Sequence, residues 1–376
     1  MKPRVVVLGA GFGGLEVTTI VSEALGDRVE LTLIDQSDSF VFGYSKLDVM
    51  FGLASPESVR LPYAKIAKPG VRVVRETITE IDPVTRKVTT NAATYEADQL
   101  VVALGADYDC SVTPGLRSGR DEFYSVEGAE YLRGVIPSLT RGSIVVGVCG
   151  PHFKCPPAPS EAVLLMHDFL QKKGVRGNCE VTLVTPMSVP VPPSPDTSKA
   201  LIAAFAERGI KYLPSKQVVS LDATRQVVVL DDGNELPCTL FLGVPKHRCP
   251  KVVLDSSLGE GHWIQVDPAT LETKFPNVYA CGDVANQMTP KAGVFAEGAA
   301  KTVGNAIVAK LSSGDRVPHL GRGSCYVEFG GGKIGRVDVD FLSGPKPTGT
   351  FHTPSLELRA EKALFGSSRR QRWFGL

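Results

Sequence analysis

The sequence predicts an α/β protein with two Rossmann-like dinucleotide-binding domains followed by a C-terminal α+β segment. Two observations carry that prediction. The order strand, small-residue turn, helix, strand occurs at residues 4–35 and again at residues 141–185. Two further apolar strands, in "ADQLVVALGADYD" (97–109) and "FPNVYACGDVANQ" (275–287), each run into a turn of small residues. Strands alternating with helices in this way build parallel sheets with nucleotide sites at their turns.

The first unit reads "RVVVLGAGFGGLEVTTIVSEAL", then "RVELTLID". Gly9 suits the tight turn, Gly11 the close approach of a pyrophosphate, and Gly14, with Gly13 beside it, the packing of helix on strand. Asp35, 21 residues after Gly14, would hold a ribose hydroxyl. The glycine pattern alone is a weak signal; flanked by the right elements and followed by the acid it is a specific one.

With that turn, the strand ending at Gly105 and the strand ending at Gly282-Asp283 resemble the flavoprotein disulfide reductase superfamily. The resemblance implies FAD at the first site, with Gly282 and Asp283 at the ribityl chain and pyrophosphate. Asp283 has a plainer reading as the N-cap of a helix over "VANQ". The same superfamily carries an inserted second nucleotide domain, which implies an FAD domain in two pieces (1–112 and 245–312), an insert (113–244) and a C-terminal segment (313–376).

The second unit keeps the scaffold and loses the nucleotide chemistry. After "SIVVGV" comes "CGPHFKCPPAPSE", and a helix is predicted from about Ser160. Where backbone N–H groups should face phosphate stand Pro156, Pro157 and Pro159, which have none. The following strand ends at Val184-Thr185, with neither an acid for a ribose nor an arginine for a phosphate, so a pyridine nucleotide is expected to bind poorly. The turn offers Cys155 instead, close enough to a helix N-terminus for the thiolate to be favoured. Glu161, in the first helical turn, is read either as a proton acceptor or as a complement to the helix dipole.

"FKCPPAPSE" resembles the corresponding element of sulfide:quinone oxidoreductases and of the flavoprotein subunit of flavocytochrome c sulfide dehydrogenase. "GVPKHRCPKVV", "PNVYACGDVA", "KAGVFAEGAAKTVGNAI" and "GSCYVEFGGGKIGRVDVDF" resemble that group in the same order. The resemblance implies a redox disulfide between Cys155 and Cys325 beside the flavin, sulfide as electron donor and a quinone as acceptor. It also points Lys291 and Gly293, at the start of a helix, toward the flavin. The pair is 170 residues apart, and spacing alone ranks Cys325 no higher than Cys149. Cys110 keeps an open redox reading because some relatives carry a third cysteine, although Ser125 matches that position better. Cys149, Cys179, Cys238 and Cys281 read as packing residues. Gly43 stands where a flavin-attaching cysteine occurs in the flavocytochrome group, so FAD is expected to be non-covalent.

Composition sets the outer limits. The 376 residues are 43% hydrophobic, enough for two or three domains, and 41 basic against 40 acidic side chains give no field that would recruit nucleic acid. No nucleic-acid module and no paired Cys/His metal spacing is present. The N-terminal strand with no apolar leader, and the lack of a spanning apolar run, predict a cytoplasmic protein. The end, "ALFGSSRRQRWFGL", interleaves Arg369, Arg370 and Arg372 with Trp373, Phe374 and Leu376. It reads as a weak peripheral anchor on the inner face of a membrane, or as a tail packed on its own chain or on a homodimer partner. Three rival functions stay open: a type II NADH:quinone oxidoreductase, a flavocytochrome-type sulfide dehydrogenase, and a non-enzymatic redox sensor.

Overall fold

The computed structural model describes residues 1–259, 262–312 and 314–376; the domain boundary expected at 313 falls outside them. In chain order the elements that position the site are β1 (Arg4–Leu8), α1 (Phe12–Leu25), β2 (Glu30–Asp35), β3 (Val71–Arg75) and β4 (Gln99–Val102). Next come β5 (Gly142–Val148), α2 (Ala158–Lys172), β6 (Cys179–Thr185), β7 (Ile210–Pro214) and β8 (Leu240–Val244). The chain then returns through β9 (Val278–Ala280) and α3 (Gly293–Leu311), and ends with β10 (Arg322–Glu328), β11 (Ile334–Asp340), β12 (Thr348–Ser355) and α4 (Glu357–Phe374).

The first sheet has the order β9-β4-β1-β2-β3, all parallel. The second has the order β7-β6-β5-β8, also parallel. Central parallel strands are covered on both faces, which is why Val5, Val6, Val7 and Leu8 run without a polar residue and are all buried. Each domain also carries a three-stranded antiparallel meander, at 78–96 in the first and 218–237 in the second.

The C-terminal segment is larger than the sequence suggested. Two of its strands were expected; the structure adds β12, pairing β11 antiparallel, and the 18-residue helix α4. The membrane-anchor reading of the tail is corrected here. Trp373 and Phe374 are buried against α1, not presented outward. The physical reason lies in α1, where Glu16 is fully buried and needs donors. Arg372 donates to it through Nε and Nη2, and the Trp373 indole N–H donates to Oε2 at 2.8 Å. Arg369 makes a similar double contact to the buried Glu297 of α3. Among the described residues no helix is long and apolar enough to cross a membrane.

Candidate active site

A cavity of about 620 Å³ opens between the two sheets and the C-terminal hairpin. The first glycine turn forms one end. Gly9 has φ +94°, a conformation that L side chains rarely adopt, and a Cβ there would meet the Ala103 carbonyl at 2.5 Å. Gly11 lies on the cavity wall, and a Cβ built there meets nothing within 4 Å, so its backbone is bare toward the space. Gly13 sits against Cys281 and Gly14 against the Gly9 carbonyl, tying helix to strand. Asp35 lines the cavity while accepting from the backbone N–H of Ala10 and of Ser37, both at 2.7 Å, which fixes its carboxylate at the end of β2.

Gly105, Gly282, Asp283 and Gly293 line the same space. The helix-cap reading of Asp283 is replaced, because Ala285–Asn286 pairs with Ile264–Gln265 as a short parallel ladder and no helix starts there. Gly293 opens α3, and a Cβ would collide with the Phe12 ring at 2.5 Å. Gly43 faces open space on the wall, with no thiol there to attach anything. The long, bare cradle from Asp35 past Gly11 to Gly282 fits an extended dinucleotide such as FAD.

Lys291 does something the sequence did not suggest. Its ammonium lies 3.5 Å from the centre of the Trp263 ring and donates to the Asp283 carbonyl. Burial lowers its pKa to about 8. Its own carbonyl accepts from the Cys155 N–H at 2.7 Å, which ties the second domain's loop to the first.

That loop is where the two units diverge. Between β5 and α2 the chain does not turn tightly but travels nine residues, and α2 begins at Ala158, two residues before the expected start. Gly147 is filled around by Phe241 and Val218, and the Lys246 side chain covers Gly150. Both glycines serve internal packing. Cys155 takes φ +50°, a left-handed conformation costing on the order of 1–3 kcal/mol in a non-glycine residue. Held by Lys291 on one side and by the Ala158 N–H on the other, it lines the cavity of the first domain.

Cys325, on β10, lines that cavity too, and all eight cysteines are free thiols. The expected thiolate bias at Cys155 is corrected. Burial, then Glu161 and Cys325, push its thiol well above the ordinary value; burial and Glu161 likewise raise Cys325 to about 12. Cost of desolvation outweighs the nearby helix end. Glu161 therefore acts on both thiols. It is itself buried, and burial raises its carboxyl to about 7 while it accepts from the Glu328 N–H at 3.0 Å.

Several residues went unseen in the sequence. Lys362 on α4 lines the cavity and donates to Glu328 at 2.5 Å. Burial disfavours its charge, but Glu161, Glu328 and Asp48 outweigh that and hold its pKa above the ordinary value. Phe365 stands one turn further on the same wall. Lys362 lies in a stretch given no reading and Phe365 falls in the tail "ALFGSSRRQRWFGL"; the apolar spacing of Leu358 and Phe365 was the available signal. Cys110 lies in a short turn packed with Cys149 and Cys238 against the second sheet, apart from the cavity wall.

A dinucleotide cradle with two thiols on its wall defines a flavoprotein-type oxidoreductase. The family described as "Pyridine nucleotide-disulphide oxidoreductase" matches residues 3–308, and the chain belongs to it. Members of that family typically bind FAD. Among curated proteins, the mitochondrial sulfide:quinone oxidoreductase of Dictyostelium discoideum is 24% identical over 345 residues, 88% of this chain and 76% of that protein. A type II NADH:quinone oxidoreductase of Staphylococcus aureus is 32% identical over 128 residues, 34% of this chain and 31% of that one. Among solved structures, the sulfide:quinone oxidoreductase of Aquifex aeolicus superposes with a TM-score of 0.87 at 20% identity, covering 99% of this chain and 92% of that one.

Proposed function

We propose that the chain oxidises sulfide with non-covalent FAD and passes the electrons to a quinone. The observation that carries this reading is the meeting of Cys155 and Cys325, 170 residues apart, on the wall of the cavity that the dinucleotide fingerprint lines. Gly9, Gly11, Gly13, Asp35, Gly105, Gly282, Asp283 and Gly293 would hold the cofactor, with Gly14 packing the helix behind it. Bound there, FAD would supply a two-electron carrier between the thiol pair and the quinone.

The chain's own chemistry is thiol chemistry. In the oxidised pair, hydrosulfide attacks one sulfur of a Cys155–Cys325 disulfide; that S–S bond breaks, a new one forms as a persulfide, and the other cysteine leaves as a thiolate. The two electrons given up by sulfide then reside in the thiolate and persulfide. Glu161, whose carboxyl titrates near neutrality, holds or releases a proton beside both sulfurs. Lys362, paired with Glu328, keeps a positive charge within reach of that carboxyl.

The test is flavin bleaching by candidate donors. Sulfide should reduce the bound flavin rapidly and a soluble quinone should restore its colour. Bleaching by NADH alone would transfer the assignment to the NADH:quinone type, which the Staphylococcus protein resembles over 128 residues; bleaching by neither would leave a redox-sensing protein. Acid precipitation should release the flavin into the supernatant, and colour retained in the pellet would overturn the non-covalent assignment.

A further inference from the structure

Four lysines reach the cavity wall: Lys46, Lys154, Lys251 and Lys362. Two are neutralised at close range, Lys251 by Asp255 at 2.5 Å and Lys362 by Glu328 at 2.5 Å. Lys46 and Lys154 differ. Lys46 Nζ donates to the Tyr124 carbonyl at 2.5 Å, and Lys154 Nζ to the Ala106 carbonyl at 3.0 Å. Neither has a carboxylate ion-pair partner among the described residues. Lys154 also meets the Tyr108 hydroxyl, so each ammonium keeps at least one of its three donors, and its charge, for an anion.

Tyr108, Asp283 and Asp107 stabilise the Lys154 charge without closing on it as an ion pair. Lys154 lies 4.5 Å from the centre of the Tyr108 ring, the Tyr108 hydroxyl donates to the Tyr124 carbonyl, and the Tyr124 hydroxyl donates to the Lys154 carbonyl. His247 packs edge-on against both tyrosine rings with Nε2 buried and unpartnered, and burial, Lys154, Lys291 and Lys46 together keep it neutral. Glu122 accepts from the N–H groups of Tyr124 and Ser125, while Asp107 and Asp283 act on Lys154 only from beyond ion-pair range. Lys154 is also the residue immediately before Cys155.

We propose that Lys46 and Lys154 form a binding subsite for a small anionic sulfur nucleophile, hydrosulfide or a short persulfide, and deliver it to Cys155. This rests on the sulfide reading above. It assigns two positioning residues that act by charge on an incoming anion and not on the cysteines' bond chemistry.

The experiment uses the flavin-loaded protein and the variants Lys46→Met, Lys154→Met and Lys154→Arg. With the Cys155–Cys325 pair first reduced, Cys155 is alkylated in parallel with iodoacetate, an anion, and iodoacetamide, its neutral counterpart, and its own peptide is followed by mass spectrometry. The ratio of the two rates reads the local charge and cancels any change in thiol reactivity. Each Met variant should lower the ratio by about tenfold, and Lys154→Arg should keep it near the parent value. In stopped flow, the Met variants should need about tenfold more sulfide for half-maximal bleaching, with a flatter dependence on ionic strength. An unchanged alkylation ratio overturns the subsite. So does a ratio held while the Met variants lose flavin or shift its spectrum, since the lysines would then serve the cofactor. A lowered ratio in a protein that sulfide does not bleach keeps the anion site and overturns the sulfide reading, so the two failures are distinct.

Discussion

The two strand-turn-helix units start from one plan and end in different chemistry. In the first, the turn is short, Gly11 is bare toward the cavity, and Asp35 is fixed at the end of the next strand. In the second, Gly147 and Gly150 are consumed by Phe241, Val218 and Lys246, and the loop is lengthened until Cys155 reaches the first unit's cavity. The fold keeps the helix and changes what its N-terminal loop presents to the cavity: bare glycine backbone in one unit, a sulfur atom in the other. A nucleotide domain can thus become a thiol carrier without altering its sheet.

The comparison breaks most sharply at the cysteines. Cys155→Ser and Cys325→Ser should each lower sulfide-dependent bleaching by at least about 1,000-fold, because a nucleophilic step is lost outright. Cys149→Ser, six residues earlier in the same unit, should stay within a few-fold. Near-parent bleaching in the Cys325 variant would remove that residue from the chemistry.

Next in size is the choice of donor. The second turn lacks the phosphate donors and the ribose acid, and two or more charged hydrogen bonds lost at about 1.5–3 kcal/mol each leave NADH at least ~100-fold slower than sulfide in stopped flow. Comparable rates would show that the prolines do not disable the turn.

Smaller effects should appear in stability, where the first unit leans on α4. Arg372→Met leaves the Glu16 carboxylate buried with a single indole donor, and because Arg372 itself is 37% exposed the loss is about 1–2 kcal/mol in denaturant unfolding. Vesicle binding should not change with it, since Trp373 and Phe374 already face inward. A shift in vesicle binding with unaltered stability would return the tail to the membrane.

The last effect concerns Glu161. Its folded carboxyl, raised to about 7 by burial, lies above the ordinary value of 4.5. Its contribution is therefore fully present below pH 4.5 and is lost as pH rises through 7, a span of about 3 kcal/mol at most. Glu161→Gln should flatten the melting temperature between pH 5 and pH 8 relative to the parent. Parallel curves would mean the carboxyl is ionised throughout.

What could be read from the sequence was whatever is local. The Gly9–Gly14 turn, Asp35 and the proline-blocked second turn are each contained in a few consecutive residues, and both sheets follow from runs such as "RVVVL" and "SIVVGV". The pairing of Cys155 with Cys325 on one wall came from resemblance alone, because 170 residues of chain carry no local trace of the meeting. The tail stayed open between two readings because arginines interleaved with aromatics look the same whether they meet lipid or a buried glutamate; only Glu16, more than 350 residues away, decides between them. Lys291 was aimed at the flavin by analogy, but the Trp263 ring that holds its ammonium could not be placed from the sequence.

The clasp between Glu16 and Trp373 also sets an order of assembly. On a ribosome, α1 and the glycine turn emerge first, yet their buried acid has no partner until 356 residues later. Until then that helix carries a charge it cannot sequester, and long-range closure is a slow event. Newly made chains should therefore acquire their cofactor after synthesis and not during it, with α4 arriving as the step that makes the first helix fit to hold it.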